Sequence, residues 1–150
     1  MKYSFIFDGH VMPMQRPRVT RSGMSYIPKE TQKSKRAIAR AFKNMCGDVD
    51  PFDGPVAVSI TIYRPATKLL TKKVDMAMRH GWELDPSLFL APTKPDLDNQ
   101  IKTVLDALEG LAYNNDSQVV DISAHKRYTN YGSGTEYAVE YAAIEISEIK

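Results

Sequence analysis

Between Val56 and Tyr63 the chain alternates without a break, with Val56, Val58, Ile60 and Ile62 on one side and Ala57, Ser59, Thr61 and Tyr63 on the other. A period of two sets successive side chains on opposite faces of extended backbone, so this segment predicts a half-buried strand, stopped by Pro65. Lys2 to Phe7 shows the same pattern through Tyr3, Phe5 and Phe7 and ends at Asp8-Gly9. Val119 to Tyr128 and Glu136 to Ile146 predict two further strands, joined through the turn region Gly132-Ser133-Gly134. In the last of these, Tyr137, Val139 and Tyr141 share one parity while Ile144 and Ile146 share the other, which predicts a bulge near Ala142-Ala143.

The period changes elsewhere. Ile38, Ala41, Phe42 and Met45 recur at three- and four-residue spacing and predict a helix from about Glu30 to Met45, ended by Gly47-Asp48 and Pro51. Its other faces carry Lys33, Lys35, Arg36, Arg40 and Lys43. Leu97, Ile101, Val104, Leu105 and Leu108 form the apolar stripe of a second helix over about 97–111, with Gly110 at its fraying end. Met12 to Lys29 has three prolines, one glycine, three arginines and no period, and reads as an irregular basic loop. Residues 66–95 form a long connection with a short helix near Lys72 to Met78 and a lone Trp82; that length suggests a functional or partner-ordered segment. The order strand, helix, strand, helix, strand, strand predicts a small α/β (α+β) single domain over 1–150. It has a mixed four-stranded sheet and two main helices, largely on one face. Its open sheet edges make a homodimer the expected assembly.

Composition narrows the class. At 150 residues and 43% hydrophobic, the chain is one ordinary globular domain. No apolar run approaches the roughly 20 residues of a spanning helix, and MKYSFIFDGH lacks the sustained apolar core of a signal peptide, so no membrane association and a cytoplasmic location are expected. A single cysteine, Cys46, excludes an internal disulfide framework and a Cys-rich zinc site, and reads as a small buried hydrophobe. His10, His80 and His125 lack zinc-site spacing. The net charge of +2 conceals a division. Residues 1–80 carry 15 Lys or Arg against six Asp or Glu, an excess of nine positive charges, while residues 81–150 carry five against twelve. A basic segment attracts phosphate and an acidic one attracts divalent metal, so chemistry on nucleic acid enters as a candidate, with binding that weakens as salt rises.

The acidic segment contains a specific pattern. Asp96 and Asp98 bracket Leu97 directly after Lys94-Pro95, at the mouth of the second helix. A D-x-D step in extended backbone points both carboxylates the same way, as a pincer for a divalent cation. Asp98, Lys102 and Asp106 follow at i, i+4 and i+8, drifting about 40° per step beside the apolar stripe. Asp116 sits in the turn Asn114-Asn115-Asp116-Ser117; if the next strand pairs beside the helix entrance, three carboxylates and a lysine converge. Such a group suits phosphodiester hydrolysis. The same spacing also fits a helix cap at Asp96 or Asp98 and an i, i+4 ion pair from Asp98 to Lys102.

The run Lys94-Pro95-Asp96-Leu97-Asp98-Asn99-Gln100-Ile101-Lys102, then Leu105-Asp106-Ala107-Leu108 and Asp116-Ser117-Gln118-Val119, resembles the signature of the RusA family of Holliday-junction resolvases. Arg16-Pro17-Arg18 and Tyr26-Ile27-Pro28-Lys29-Glu30-Thr31 resemble that family's basic opening segment, and Thr93-Lys94 its approach to the Asp pair. The resemblance spans residues near 3 to 146 and is weakest over 66–92 and in the last strand. It implies that Asp96, Asp98 and Asp116 hold a metal, Mg²⁺ with Mn²⁺ as a substitute, and that Lys102 is the catalytic lysine. Asn99 and Asp106 match motif positions and would orient the site. Asn115 departs from the pattern, since the family usually pairs two acids there; it keeps a carbonyl oxygen but removes a charge. The resemblance further implies a homodimer acting on four-way DNA junctions, and the basic half of the chain supplies DNA-contact candidates, foremost Arg16, Arg18 and Arg21 in the loop, with Lys94 and Asn99 of the motif beside them. Lys33, Arg36, Arg40 and Lys43 on the first helix are weaker candidates. Asp121 stands as a possible fourth carboxylate, and Trp82, Tyr128 and Tyr131 could stack on unpaired bases but suit aromatic packing or a dimer contact better. The competing readings are a non-catalytic branched-DNA-binding module and a metal-dependent nuclease of broader range.

Overall fold

In a computed structural model, which describes residues 1–129 and 140–150, the strongest alternation in the chain becomes a central strand. Strands β1 (Lys2–Asp8), β4 (Val56–Arg64), β5 (Val119–Tyr128) and β6 (Tyr141–Glu148) form one sheet in the order β1-β6-β4-β5. β6 pairs antiparallel with both β1 and β4, and β4 pairs parallel with β5, so the sheet is mixed as expected. The last two strands are not neighbours, because β4 lies between them. The Gly132-Ser133-Gly134 turn and the Glu136 to Val139 part of the last strand fall outside the described residues, as does Tyr131. From Tyr141 onward β6 runs in unbroken register against both partners, with Ala142, Ile144 and Ile146 buried, so the bulge expected at Ala142-Ala143 is absent. The register shift in the sheet instead lies between Val56 and Ala57, against β5.

The core fills one face of this sheet. Phe5, Phe7, Val56, Val58, Ile60, Ile62 and the β6 side chains meet α1 (Lys29–Cys46) and α3 (Leu97–Leu108) there. Phe42 of α1 sets its ring edge-on against Tyr3 and Phe5, at 5.8 and 5.5 Å between centroids. The buried side of α1 is Thr31, Ser34, Ile38 and Phe42; Met45 is exposed and Cys46 half-buried, its thiol pushed up by burial.

Among the described residues, three α-helices form, the two main ones and the one expected in the long connection. The short helix expected over 72–78 extends from Lys68 to His80 as α2, because Thr67 caps its start, accepting from the Leu70 amide at 3.1 Å, and Gly81 turns left-handed at its end. The basic loop contains a two-stranded ribbon, β2 (Arg18–Val19) with β3 (Ser25–Tyr26). α3 ends at Leu108, three residues earlier than expected, and its buried side is rotated to Gln100, Thr103, Val104, Ala107 and Leu108. The cause is local: the Gln100 side chain is drawn inward to donate to the Val11 carbonyl at 2.9 Å, which leaves Leu97, Ile101 and Leu105 only half-buried. Among the described residues, no helix is long and apolar enough to cross a membrane.

Candidate metal and nucleic-acid site

The site is built on the two ends of α3. At its start, Asp96 occupies the N-cap position with its side chain making no cap hydrogen bond, and Asp98 sits in the first turn, where the helix dipole favours a negative charge. Asp98 and Lys102 lie about 160° around the helix from the buried Gln100, pointing outward, and both are exposed. They form no ion pair with each other within 4.0 Å; the ion pairs among the described residues involve Lys2, His10 and Arg64. Neither the cap nor the i, i+4 pair that could account for these residues as plain structure is therefore formed. Their charges are uncommitted.

The loop preceding Asp96 is fixed by two cations that sequence reading did not single out. Lys126 of β5 donates its ammonium to the Thr93 carbonyl and, at 2.8 Å, to the Pro95 carbonyl; Arg64, closing β4, donates to the Lys94 carbonyl. Three consecutive carbonyls are thus clamped directly ahead of Asp96. Arg64 also lies 3.8 Å from Glu140, which pairs with His10. The result is an open cavity of about 500 Å³ whose walls include His10, Arg64, Lys94, Asp96 and Asn99. These partners are 30 or more positions apart in sequence, so no local spacing could reveal them.

The basic loop is tied to the same end of α3. The Met14 amide donates to the Asn99 carbonyl at 2.8 Å, the Met12 amide to Ser34 of α1, and Gln100 reaches Val11. Arg16 and Arg18 leave this anchor exposed to solvent. Asn99 contributes to the cavity wall and, through its backbone, to this tether.

Asp116 is held at the other end. Asn115 caps a 3-10 turn (Asp116–Gln118), its side chain accepting from the Ser117 amide at 2.9 Å, while the Gln118 side chain accepts from the amides of Asn114 and Asn115. The Asn115 carbonyl oxygen considered as a metal donor is thus engaged in a cap. Asp116 joins Asp106 and Glu109 in a group whose ligand oxygens lie within 4.8 Å of one another. Asp96 and Asp98 are not part of that group; Asp98 precedes Asp106 by eight residues, about 12 Å of helix rise. The expected convergence of all three motif aspartates on one point is not seen within a single chain, because β5 starts beyond the far end of α3 rather than at its entrance. What forms is an outward stripe along α3, with Lys102 one turn from Asp98 and one turn from Asp106. Glu109 was not anticipated, and lay only a turn from Asp106 in the motif. Asp121 sits apart on β5, in a cleft with Ala57, Ser123 and Glu145, and among the described residues no histidine joins a group of three or more metal-ligating side chains.

The acidic end leaves a mark on a neighbour. Tyr113 is buried, donates its hydroxyl to the Leu105 carbonyl at 2.6 Å, and has its phenol pushed far up, by burial first and then by the negative charges of Glu109, Asp106 and Asp116. A phenol that the fold holds protonated contributes stability in full below the ordinary tyrosine value of about 10 and loses it as pH rises beyond. Tyr113→Phe is expected to cost about 1 kcal/mol at neutral pH and to flatten the fall in stability above that pH, measured by urea unfolding across an alkaline series. A smaller slope remains from Tyr3, whose phenol burial also raises.

The family model described as "Endodeoxyribonuclease RusA" matches residues 8–140 of the chain. An uncharacterized protein, YqaN of Bacillus subtilis (strain 168), is 40% identical over 76 residues, which span 51% of this chain and 51% of the relative.

Proposed function

Because the chain belongs to the RusA endodeoxyribonuclease family, we propose that it is a Mg²⁺-dependent, structure-selective endonuclease resolving four-way DNA. It does so by paired, symmetric phosphodiester hydrolysis, in recombination and repair in the cytoplasm, and its catalytic domain is the whole of residues 1–150. The observation that carries this reading is the uncommitted pair Asp96 and Asp98, exposed at the helix entrance with neither a cap bond nor an ion pair. Carboxylate oxygens, several and close together, are the donor set that hard divalent cations take, with water filling the remaining positions. Asp96 and Asp98 are the proposed ligands at the entrance of α3, and Asp116, with Asp106 and Glu109 beside it, is the proposed ligand at its far end. Mg²⁺ or Mn²⁺ bound there supplies polarisation of the scissile phosphate and an activated water.

The chain's own groups do the rest. Lys102, in no ion pair among the described residues and one turn from Asp98, brings an ammonium to the charge that develops on the phosphate oxygens. The clamp of Arg64 and Lys126 on residues 93–95 holds the backbone that leads into Asp96 at the cavity wall. Arg16, Arg18, Lys94 and Asn99 grip the DNA backbone on the same side, which gives recognition by shape rather than by base sequence. Two symmetric nicks call for two sites related by a two-fold axis, hence a homodimer. In support, β5 offers a free edge at its N-terminal half, where Val120 and Ile122 are 58% and 50% exposed.

The test is a synthetic four-way junction with Mg²⁺. Paired nicks in opposing strands, with linear duplex left whole, are the expected result. Binding without cutting in Mg²⁺ and Mn²⁺ would make the chain a junction-holding module, and equal cutting of duplex, flaps and junctions would make it a nuclease of broad range.

A further inference from the structure

The excursion between β4 and α3 displays a tryptophan that the fold neither buries nor leaves loose. Trp82 is 59% exposed, yet its backbone amide is pinned to the Ala77 carbonyl at 2.9 Å through the left-handed turn at Gly81, and its ring lies parallel to that of His80 at 4.5 Å. Immediately after it, Asp85 caps a short 3-10 turn (Pro86–Phe89), which fixes the return path. Beside the ring is an open groove of about 350 Å³, apolar where Met76 and Leu84 line it, cationic at Lys72 and Lys73, and acidic at Glu83 on its rim beside the ring.

The charge on this surface selects its occupant. α2 carries Lys68, Lys72, Lys73 and Arg79 against Asp75 alone, an excess of three positive charges, of which Glu83 and Asp85 on the return path offset two. Among the described residues, none of these four cations is in an ion pair. A second copy of the same face would bring like charge against like. A polyanion with exposed aromatic faces meets both the cations and the indole. The position agrees. The excursion leaves the sheet at Arg64 and rejoins it where the Ala91 amide meets the Lys126 carbonyl, and Arg64 and Lys126 are the two residues that clamp the approach to Asp96.

We propose that α2 and Trp82 form a second DNA-binding surface, taking a base with an open face, as at the branch point of four-way DNA, against the indole while Lys72 and Lys73 hold the flanking phosphates. This rests on the nuclease reading above and adds a contact outside its motif. Stacking of this kind is tolerant of sequence, because every base has a π-face.

Trp82 is the sole tryptophan of the chain, so its emission reports on this surface alone. Full-length chain carrying Asp98→Asn is titrated in Mg²⁺ with a dye-labelled junction, following dye anisotropy for binding and tryptophan emission for stacking. The expected results are quenching that tracks the anisotropy and exceeds that given by linear duplex; about tenfold weaker binding in Trp82→Ala, with most of it restored in Trp82→Phe; and a salt slope reduced by about two in Lys72→Gln/Lys73→Gln. A junction that binds while tryptophan emission stays unchanged overturns this surface and leaves the nuclease reading intact, whereas no binding by anisotropy overturns both. Unchanged junction affinity in Trp82→Ala, or a Trp82→Ala chain that sediments as a smaller species than its parent, assigns the face to packing or to a second copy and likewise overturns the proposal.

Discussion

Asp98→Asn is expected to bind four-way DNA as tightly as the unaltered chain, or slightly more so, and to cut it on the order of 10³-fold more slowly. The magnitude follows from the loss of one charged oxygen where transition-state charge is stabilised, an electrostatic contribution of the size seen when a preorganised group is removed. Binding survives because Asp98 is exposed and, among the described residues, caps no amide and pairs with no cation. Removing a negative charge beside phosphate also lowers repulsion. The measurement is a single-turnover cleavage rate at saturating Mg²⁺ beside a mobility-shift titration. Asp106→Asn and Glu109→Gln, run in parallel, separate the two ends of α3. If these stop cleavage while Asp98→Asn cuts normally, the metal belongs to the preassembled group with Asp116, and the Asp96-Asp98 pair loses its proposed role.

Lys126→Met is expected to lower the cleavage rate by about 10²-fold with the fold retained. The ammonium holds two carbonyls of the segment leading into Asp96, and charge-assisted hydrogen bonds of this kind contribute about 1.5–3 kcal/mol each. Without them the Asp96 carboxylate is free to shift, and a displacement of roughly 1 Å from a reactive geometry costs about 10²-fold. Lys126→Arg keeps a cation at the position and should recover part of the rate; excess Mg²⁺ should recover part of it in Lys126→Met. Because Arg64 grips the intervening carbonyl, Arg64→Met and Lys126→Met should combine non-additively. A Lys126→Met chain that is folded by circular dichroism and cuts at the full rate would remove the clamp from the catalytic account.

Much of the fold is legible along the chain because burial on one face imposes a period. β4 and α1 are readable from Val56, Val58, Ile60 and Ile62 and from Ile38 and Phe42, whose spacing states which side is inside. The neighbours of a strand are another matter. Parity says which face Ile144 occupies but not that β6 inserts between β1 and β4, since that choice depends on contacts 78 to 145 residues apart. The turn of α3 was concealed by Gln100, a polar residue at a buried position that is stable there only through its bond to Val11. The candidate site divides in the same way. Asp96, Asp98 and Lys102 announce themselves because their geometry is local to one helix. Glu109 beside Asp116, and Arg64 and Lys126 beneath residues 93–95, arise from tertiary approach and leave no periodic trace.

The strand order also dictates a sequence of events during synthesis. β6 bridges β1 and β4, pairing Lys2 with Ser147 on one side and Val58 with Ile146 on the other, yet it leaves the ribosome after the other three strands of the sheet. Until then β1 has no hydrogen-bonded neighbour, and one edge of β4 stands open beside an apolar face that includes Val56, Val58, Ile60 and Ile62. The nascent chain therefore carries an unsealed, sticky edge through most of translation, and the sheet closes in a single late step of high contact order.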